Sequence, residues 1–343
     1  MSVSTPEHIA AGTIVAERYR IDAPLGTGGM AVVYRARHLG LGRDVALKVM
    51  AANSLAGSAA RFEREARAVA RLDHPGCLRV LDFGHDHAVG RYLVMELIAG
   101  QTLGAMLAAD GRMSSHRAVH ILKDLTKALA HAHRHGVLHR DIKPENIMFD
   151  QRDGVSRPRL IDFGLAQLDN ESALTAVGSC VGSPSYLAPE RLLGLPYDAR
   201  ADIYALGVVL YELLCGYPPF GGQSAVEIAR KQIAKTPVPL SVMGIEVPPA
   251  VDAIVARALA KDPTRRFADC EQLLAALDAI DWRDQPAAAP RYGQTADATL
   301  HAVVHSARIT APLWVLGELR PSPVRRLWTW LRFGAWRWRA ASD

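Results

Sequence analysis

The N-terminal part of the chain is built from short apolar runs with strand character. Val32-Val33-Tyr34 is one, and Val45-Ala46-Leu47-Lys48-Val49-Met50 is another, so residues 14–50 are expected to be strands. Over residues 58–72 the period becomes helical, with Phe62, Ala66, Val69 and Leu72 on one face. Residues 78–83 and 91–97 return to strand character. After Gly100 the pattern turns helical. Ser114 or Ser115 can cap a helix that runs to His135, carries Val119, Leu122, Leu125, Leu129 and Ala132 at helical spacing, and stops at Gly136. Further helices are expected over about 201–215, 224–234, 249–260 and 269–279. Strands first and helices afterwards make an α+β pattern in two lobes, not a series of βαβ units.

Composition adds limits. The chain has 343 residues, 49% hydrophobic and 22% charged, which is ordinary for a globular protein with a real core. The net charge of +5 is uneven: residues 1–280 contribute +1 and residues 281–343 contribute +4. The basic balance therefore belongs mostly to the tail and does not argue for nucleic-acid binding by the main domain. Cys77, Cys180, Cys215 and Cys270 lie far apart with no C-x-x-C pair, as expected of reduced thiols in a cytosolic protein. MSVSTPEHIAAG has no signal-peptide character, and no uninterrupted apolar stretch reaches 18 residues, so neither a secreted nor a membrane-spanning chain is expected. Residues 281–298 have the composition of a linker.

The chemistry begins with LGTGGMAVVYRA, Leu25 to Ala36. Gly26, Gly28 and Ala31 give the spacing G-x-G-x-x-A, and Asp44 lies about where a dinucleotide-binding turn wants an acidic residue. Such a turn must open a helix, however, and here Val-Val-Tyr follows at once. The glycines therefore sit between two strands, the setting of a loop that covers ATP phosphates. Lys48 is the second signal. It shares a strand face with Ala46 and Met50, and a lysine on a buried face needs an anion. Glu65, beside the buried face of the first helix, is the candidate partner; a surface pair with Arg61 is the plainer alternative. HRDIKPEN (His139 to Asn146) and LIDFGLA (Leu160 to Ala166), read as an apolar strand ending in Asp162-Phe163-Gly164, supply the rest. A carboxylate and an amide oxygen, Asp162 and Asn146, suit Mg2+. Asp141 is then left to take a proton from an attacking hydroxyl.

Together these motifs resemble the eukaryotic-type (Hanks-type) protein kinases, and most of all the bacterial serine/threonine kinases. The resemblance covers about residues 14–280 and includes LGTGGMAVVY, VALK, RFEREA, HRDIKPEN, DFG, Ala188-Pro189-Glu190, DIYALGVVLYELLCGYPPF (202–220) and DPTRRF (262–267). It implies a bilobal fold, with a β-rich N-lobe over 14–98 and a helical C-lobe over 99–280, between an N-terminal extension (1–13) and a linker (281–298) with a tail (299–343). It implies ATP and Mg2+, with Mn2+ as a substitute. Leu25, Gly26, Thr27, Gly28, Gly29, Val33 and Ala46 would surround ATP. Lys48, held by Glu65, would grip its phosphates. Met95 would be the gatekeeper, and Glu96 to Ile98 the hinge that reads adenine. Asp141 would be the catalytic base and Lys143 would steady the γ-phosphate, while Asn146 and Asp162 would bind the metal. Ser183 would bond Asp141 and Lys143 from the substrate loop. Glu190 would pair with Arg266, and Asp202 would brace the catalytic loop. Ala31, in place of a third glycine, is a small departure.

The resemblance also implies a switch. Arg140 precedes the catalytic aspartate, and the segment before Ala188 is rich in Ser and Thr. Thr175 is the favoured autophosphorylation site and Ser179 the second, with a homodimer as the arrangement for phosphorylation in trans. Cys180 in the same segment is expected to be a plain small side chain. His131, His133, His135 and His139 are expected to be helix-end and loop histidines rather than a metal site. The Arg/Trp-rich stretch 324–340 suits protein docking or a peripheral place on the inner face of a membrane. The expected activity is ATP-dependent phosphorylation of Ser/Thr in protein substrates, without nucleic acid, in the cytoplasm. A catalytically weak scaffold docking through the tail is the alternative of another class. A small-molecule phosphotransferase would lack the Ala188-Pro189-Glu190 segment and the long loop before it.

Overall fold

The apolar runs near the N-terminus become neighbouring strands. β1 (Ile14–Val15), β2 (Tyr19–Thr27), β3 (Ala31–His38), β4 (Arg43–Met50), β5 (Val80–Asp86) and β6 (Gly90–Glu96) form a six-stranded antiparallel sheet in the order β1-β2-β3-β4-β6-β5. The computed structural model describes residues 9–28, 31–51, 59–150, 156–163 and 184–284. Both faces of β4 are covered, and its alternation sorts them. Val45, Leu47 and Val49 pack with Tyr19, Tyr34, Tyr92 and Val94. On the other face Ala46 joins the main core and Met50 packs with Ala31 and Phe62. Lys48 belongs to that second face and is only 6% exposed. α1 (Ala59–Ala70) packs against β5 through Phe62, Ala66 and Val69, with Leu72 buried just beyond its end.

A small second sheet joins the lobes. β7 (Gly100–Thr102), β8 (Ile147–Asp150) and β9 (Arg157–Leu160) are antiparallel in that order. Gly100 is required there, because a Cβ would lie 1.8 Å from the Phe149 carbonyl oxygen. The strand expected to run into Asp162-Phe163 ends earlier, at Leu160. The Ile161 amide turns to the Asn146 carbonyl at 2.9 Å, and Asp162 adopts φ 63°, which no strand accommodates.

The rest is helical: α2 (Leu103–Asp110), α3 (Ser115–Arg134), α4 (Pro189–Leu192), α5 (Arg200–Cys215), α6 (Ala225–Ala234), α7 (Pro249–Ala258) and α8 (Cys270–Asp278). Ser114, not Ser115, caps α3, accepting from the Arg117 amide. Val119, Leu122, Leu125, Leu129 and Ala132 line its buried face, and α5 and α8 pack on α3. Every residue of α5 except Arg200 and Glu212 is buried, so this helix is the axis around which the C-lobe packs. Among the described residues no helix is long and apolar enough to cross a membrane. The tail expected over 299–343, and all but the first residues of the linker, lie outside the described residues.

Candidate active site

The Gly-rich segment is a hairpin tip. Leu25, Gly26 and Thr27 end β2, with Gly26 opposite Val33 and Thr27 opposite Val32. The Gly28 amide closes the turn on the Ala31 carbonyl at 2.9 Å. Leu25 to Gly28 are exposed, and Gly29 lies outside the described residues. The segment thus runs from strand to strand and never opens a helix. Asp44, the acidic residue that suggested a dinucleotide site, is committed to surface ion pairs with Arg35 (2.5 Å) and Arg37 (2.7 Å).

Strand register brings the next group together. Val33 and Leu93 flank Lys48, and Met95 lies beside Ala46. Ala46, Met95 and Ile98 are buried in the core shared with the C-lobe, and Val33 packs against it. Glu96 ends β6. Its carboxylate accepts from the Arg79 amide at 2.8 Å and pairs with the Arg159 guanidinium, which also holds Asp150 (2.9 Å) and the Cys77 carbonyl (2.8 Å). The sequence did single out Glu96 but not Arg159. Its signal was of the same kind as that of Lys48, a cation inside a buried strand.

The ion pairs in the cleft differ from expectation. Lys48 is paired with Asp162, not with Glu65. Glu65 meets Arg140 at 3.4 Å instead. This division gives each of the two cations and two carboxylates a partner. Burial alone would push the Asp162 carboxyl up, but the Lys48 ammonium beside it holds it below its ordinary value.

The catalytic-loop residues hang from α5. Asp202 accepts from the His139 amide (2.8 Å), the Arg140 amide (2.9 Å) and the His133 ring (2.9 Å). Burial would raise its pKa; the hydrogen bond and charge of His133 together with His139 and its amide outweigh that and lower the Asp202 pKa below its ordinary value. These bonds hold Arg140 at φ 67°, a conformation an L-residue adopts only under constraint. His139 is fully buried, which lowers its pKa and keeps it neutral. Its Nδ1 accepts from the Asp141 amide at 3.3 Å, so the proton is on Nε2, which donates to the Ile161 carbonyl at 3.0 Å. The ring rests on Phe163 at 4.7 Å, linking HRD to DFG. One oxygen of Asp141 takes hydrogen bonds from Lys143 (2.8 Å) and Asn146 (2.7 Å), and Asn146 also holds the Asp141 carbonyl. The Asn146 carbonyl receives the Ile161 amide, which sets Asn146 next to Asp162. Asn146 and Asp162 therefore lie on adjoining segments, and each carries a hard oxygen of the kind a divalent cation prefers.

Further out, Glu190 and Arg266 form the expected pair, with two bonds of 2.7 Å. Arg191, which the sequence did not single out, donates to the Arg140 carbonyl. The histidines divide. His131 and His135 stack at 4.4 Å at the end of α3, and among the described residues no cluster of three or more His, Cys, Asp or Glu side chains is placed to hold a metal. His133 is a correction: it is a half-buried strut on Asp202, not a solvated helix-end side chain. Cys77, Cys215 and Cys270 are free and buried. Thr175, Ser179, Cys180 and Ser183 lie outside the described residues.

Comparison with known proteins adds the following. Residues 19–277 match the protein kinase domain family. The chain is 39% identical over 306 residues to the serine/threonine-protein kinase pkn3 of Myxococcus xanthus, covering 86% of this chain and 56% of that protein. It is 36% identical to the serine/threonine-protein kinase PknB of Mycobacterium tuberculosis, covering 87% and 47%. The chain thus spans about half the length of these relatives. Among solved structures it resembles the Mycobacterium tuberculosis PknI kinase domain, with TM-score 0.63, 30% identity and coverage of 79% of this chain and 99% of that one. It also resembles Rad53 1-466 in complex with AMP-PNP, with TM-score 0.64, 25% identity and coverage of 75% and 64%.

Proposed function

The chain belongs to the protein kinase family, and we propose that it transfers the γ-phosphate of ATP to Ser or Thr of protein substrates. The observation that carries this reading is the oriented carboxylate of Asp141, held by Lys143 and Asn146 in a loop suspended from Asp202. With one oxygen occupied, the other is left to accept the proton of a substrate hydroxyl as it attacks. Lys143, 2.8 Å from that carboxylate, stands where its ammonium would steady the transferred phosphoryl group. Leu25, Gly26, Thr27, Gly28, Gly29, Val33, Ala46, Met95, Glu96 and Ile98 line the proposed ATP site, with domain limits 14–280. Asn146 and Asp162 would hold Mg2+. The metal would supply charge neutralisation at the phosphates. Lys48 would turn from Asp162 to the phosphates.

The activating step is part of the same reading. Arg140 spends its guanidinium on Glu65, and its Nε is buried without a hydrogen-bond partner among the described residues. A phosphate on Thr175, or on Ser179, would draw Arg140 through charge-assisted bonds and release Glu65 to Lys48. Phosphorylation in trans within a homodimer, cytoplasmic action and docking of 324–340 on a protein partner or an anionic membrane complete the proposal.

Radiolabelled ATP tests it. Wild-type protein should label itself, Asp162→Ala should not, and mass spectrometry should find the phosphate on Thr175. An unlabelled wild type overturns the kinase reading in favour of a scaffold. Full activity in Thr175→Ala overturns the switch alone. Equal liposome pelleting of full-length chain and a 1–300 truncation removes the membrane role of the tail.

A further inference from the structure

The peptide group that joins Arg140 to Asp141 is gripped at both ends. The Arg140 carbonyl and the Asp141 amide belong to one rigid plane. The Asp141 N–H donates to His139 Nδ1 at 3.3 Å, a long bond. The Arg140 oxygen accepts from the Arg191 guanidinium. The plane on the other side of the Arg140 Cα is held separately, by the bond of 2.9 Å from the Arg140 amide to Asp202. The φ and ψ of Arg140 are the relation between these two planes. Arg140 sits at φ 67°, which is unfavourable for a residue with a Cβ. Holding one plane alone does not keep it there. Asp202 fixes the first plane. Of the two restraints on the second, the charge-assisted bond from Arg191 is the stronger.

Arg191 is itself firmly placed. It is 6% exposed, so its charge does not serve the surface. Its guanidinium lies 5.2 Å from the centre of the Tyr197 ring, whose face favours a cation. Its amide donates to the Ala188 carbonyl at 3.0 Å. The residue before it, Glu190, is anchored to Arg266 by two bonds of 2.7 Å. The short helix α4 is thus a fixed bracket. It begins shortly after the 3-10 turn Pro184–Tyr186, which directly follows Ser183 of the proposed substrate loop.

We infer that Arg191 is a positioning residue for the proposed phosphoryl transfer. Lys143 and Asn146 hold the Asp141 side chain, and Asn146 also holds its carbonyl. Arg191 supplies the restraint these leave out, on the peptide that enters Asp141. With that plane held, Arg140 stays in its left-handed conformation and the Asp141 carboxylate keeps its direction toward a substrate hydroxyl. Without it, Arg140 is free to relax to a commoner conformation, and Asp141 turns with it. The bond also places the base and the end of the substrate loop from one bracket, α4. The catalytic clause rests on the kinase reading; the restraint on the Arg140–Asp141 peptide does not.

Two variants of the full chain test it. Arg191→Met keeps the length and apolar bulk of the side chain but removes the donor, and Arg191→Lys keeps a charged donor. Amide hydrogen exchange is the first readout. In Arg191→Met the Asp141 amide should exchange about tenfold faster than in wild type while the amides of α5 hold their rates, because the opening is local. Steady-state kinetics with casein as acceptor is the second. In Arg191→Met kcat should fall about tenfold with the KM for ATP within about twofold, since a misplaced base costs rate rather than nucleotide binding. Arg191→Lys should return both readouts to within about threefold of wild type. A wild-type exchange rate at Asp141 in Arg191→Met overturns the restraint. Faster exchange with unchanged kcat overturns the catalytic clause. Equal acceleration at Asp141 and along α5, with a lowered melting temperature, makes Arg191 a general support of the lobe and overturns both. A wild type without kinase activity overturns the kinase reading and the catalytic clause with it, and the exchange rates still decide the restraint.

Discussion

Two sets of buried or half-buried charges serve opposite ends in this protein. Glu190 and Arg266 meet through two bonds of 2.7 Å, with side chains 6% and 0% exposed. The remaining Arg266 donors go to the carbonyls of Ala260, Arg200 and Lys261. That pair has one solution, and nothing nearby competes for it. The cleft set of Lys48, Asp162, Glu65 and Arg140 is more exposed, joined across the lobes, and carries a guanidinium nitrogen without a hydrogen-bond partner among the described residues. Its two ion pairs leave that donor unused. Saturation makes a strut, and incomplete saturation leaves a group that can change partner.

The sharpest break in this contrast is Arg266→Met. It strands the Glu190 carboxylate in the core and should cost about 3–5 kcal/mol, read by urea unfolding. Lys48→Met should do the reverse. Autophosphorylation should fall by about 10²-fold or more, because a donor aimed at developing charge is lost. Its melting temperature should stay within a few degrees of wild type, and a collapse in stability would place Lys48 with the struts.

Glu212 falls between the two sets. It accepts one hydrogen bond, from Tyr186 at 2.6 Å, and burial raises its pKa to about 7. Because the folded form holds this proton up to a higher pH than the unfolded chain, the group lowers stability as pH rises from about 4.5 to 7. Glu212→Gln should therefore raise stability by about 1–2 kcal/mol at pH 8 and leave it little changed near pH 5, in thermal melts across that range. The smallest effect belongs to Glu65 and Arg140. A double-mutant cycle with Glu65→Gln and Arg140→Gln should give a coupling below about 1 kcal/mol, since the pair is long and partly hydrated. A coupling of 3 kcal/mol or more would make it a strut like Glu190–Arg266.

The same contrast explains what the sequence could reveal. Alternation along β4 placed Lys48 on a buried face because the period of a strand is local and both faces of this one are covered. Glu190–Arg266, a pair that the structure bears out, was legible through the resemblance of Ala188-Pro189-Glu190 and DPTRRF to the family's motifs. The partner of Lys48 was not. A motif names the charged residues in the cleft but does not fix their geometry, and here Asp162 takes the lysine while Arg140 takes Glu65. His133 was passed over because histidines spaced i, i+4 were weighed as metal ligands or solvated side chains, and its true partner, Asp202, is 69 residues away. The early end of β9 was hidden for a related reason. The hydrogen bond from Ile161 to Asn146 and the backbone turn at Asp162 come from tertiary contacts, not from local pattern. The catalytic residues themselves were legible by type and spacing, and their roles stand as proposals with the tests given above.

The bonds from Asp202 to His139 and Arg140 bear on how the chain matures. They join residues 63 and 62 positions apart, and nothing nearer in the sequence supplies an acceptor that holds Arg140 at its positive φ. During synthesis from the N-terminus, the Gly-rich hairpin and β4 emerge early, whereas the loop that would do chemistry can be set only after α5 has left the ribosome and docked. A nascent chain ending before Asp202 therefore displays Lys48 before the loop that carries Asp141 is held in place, and the proposed phosphoryl transfer would have to wait until the helical lobe has closed around its central helix.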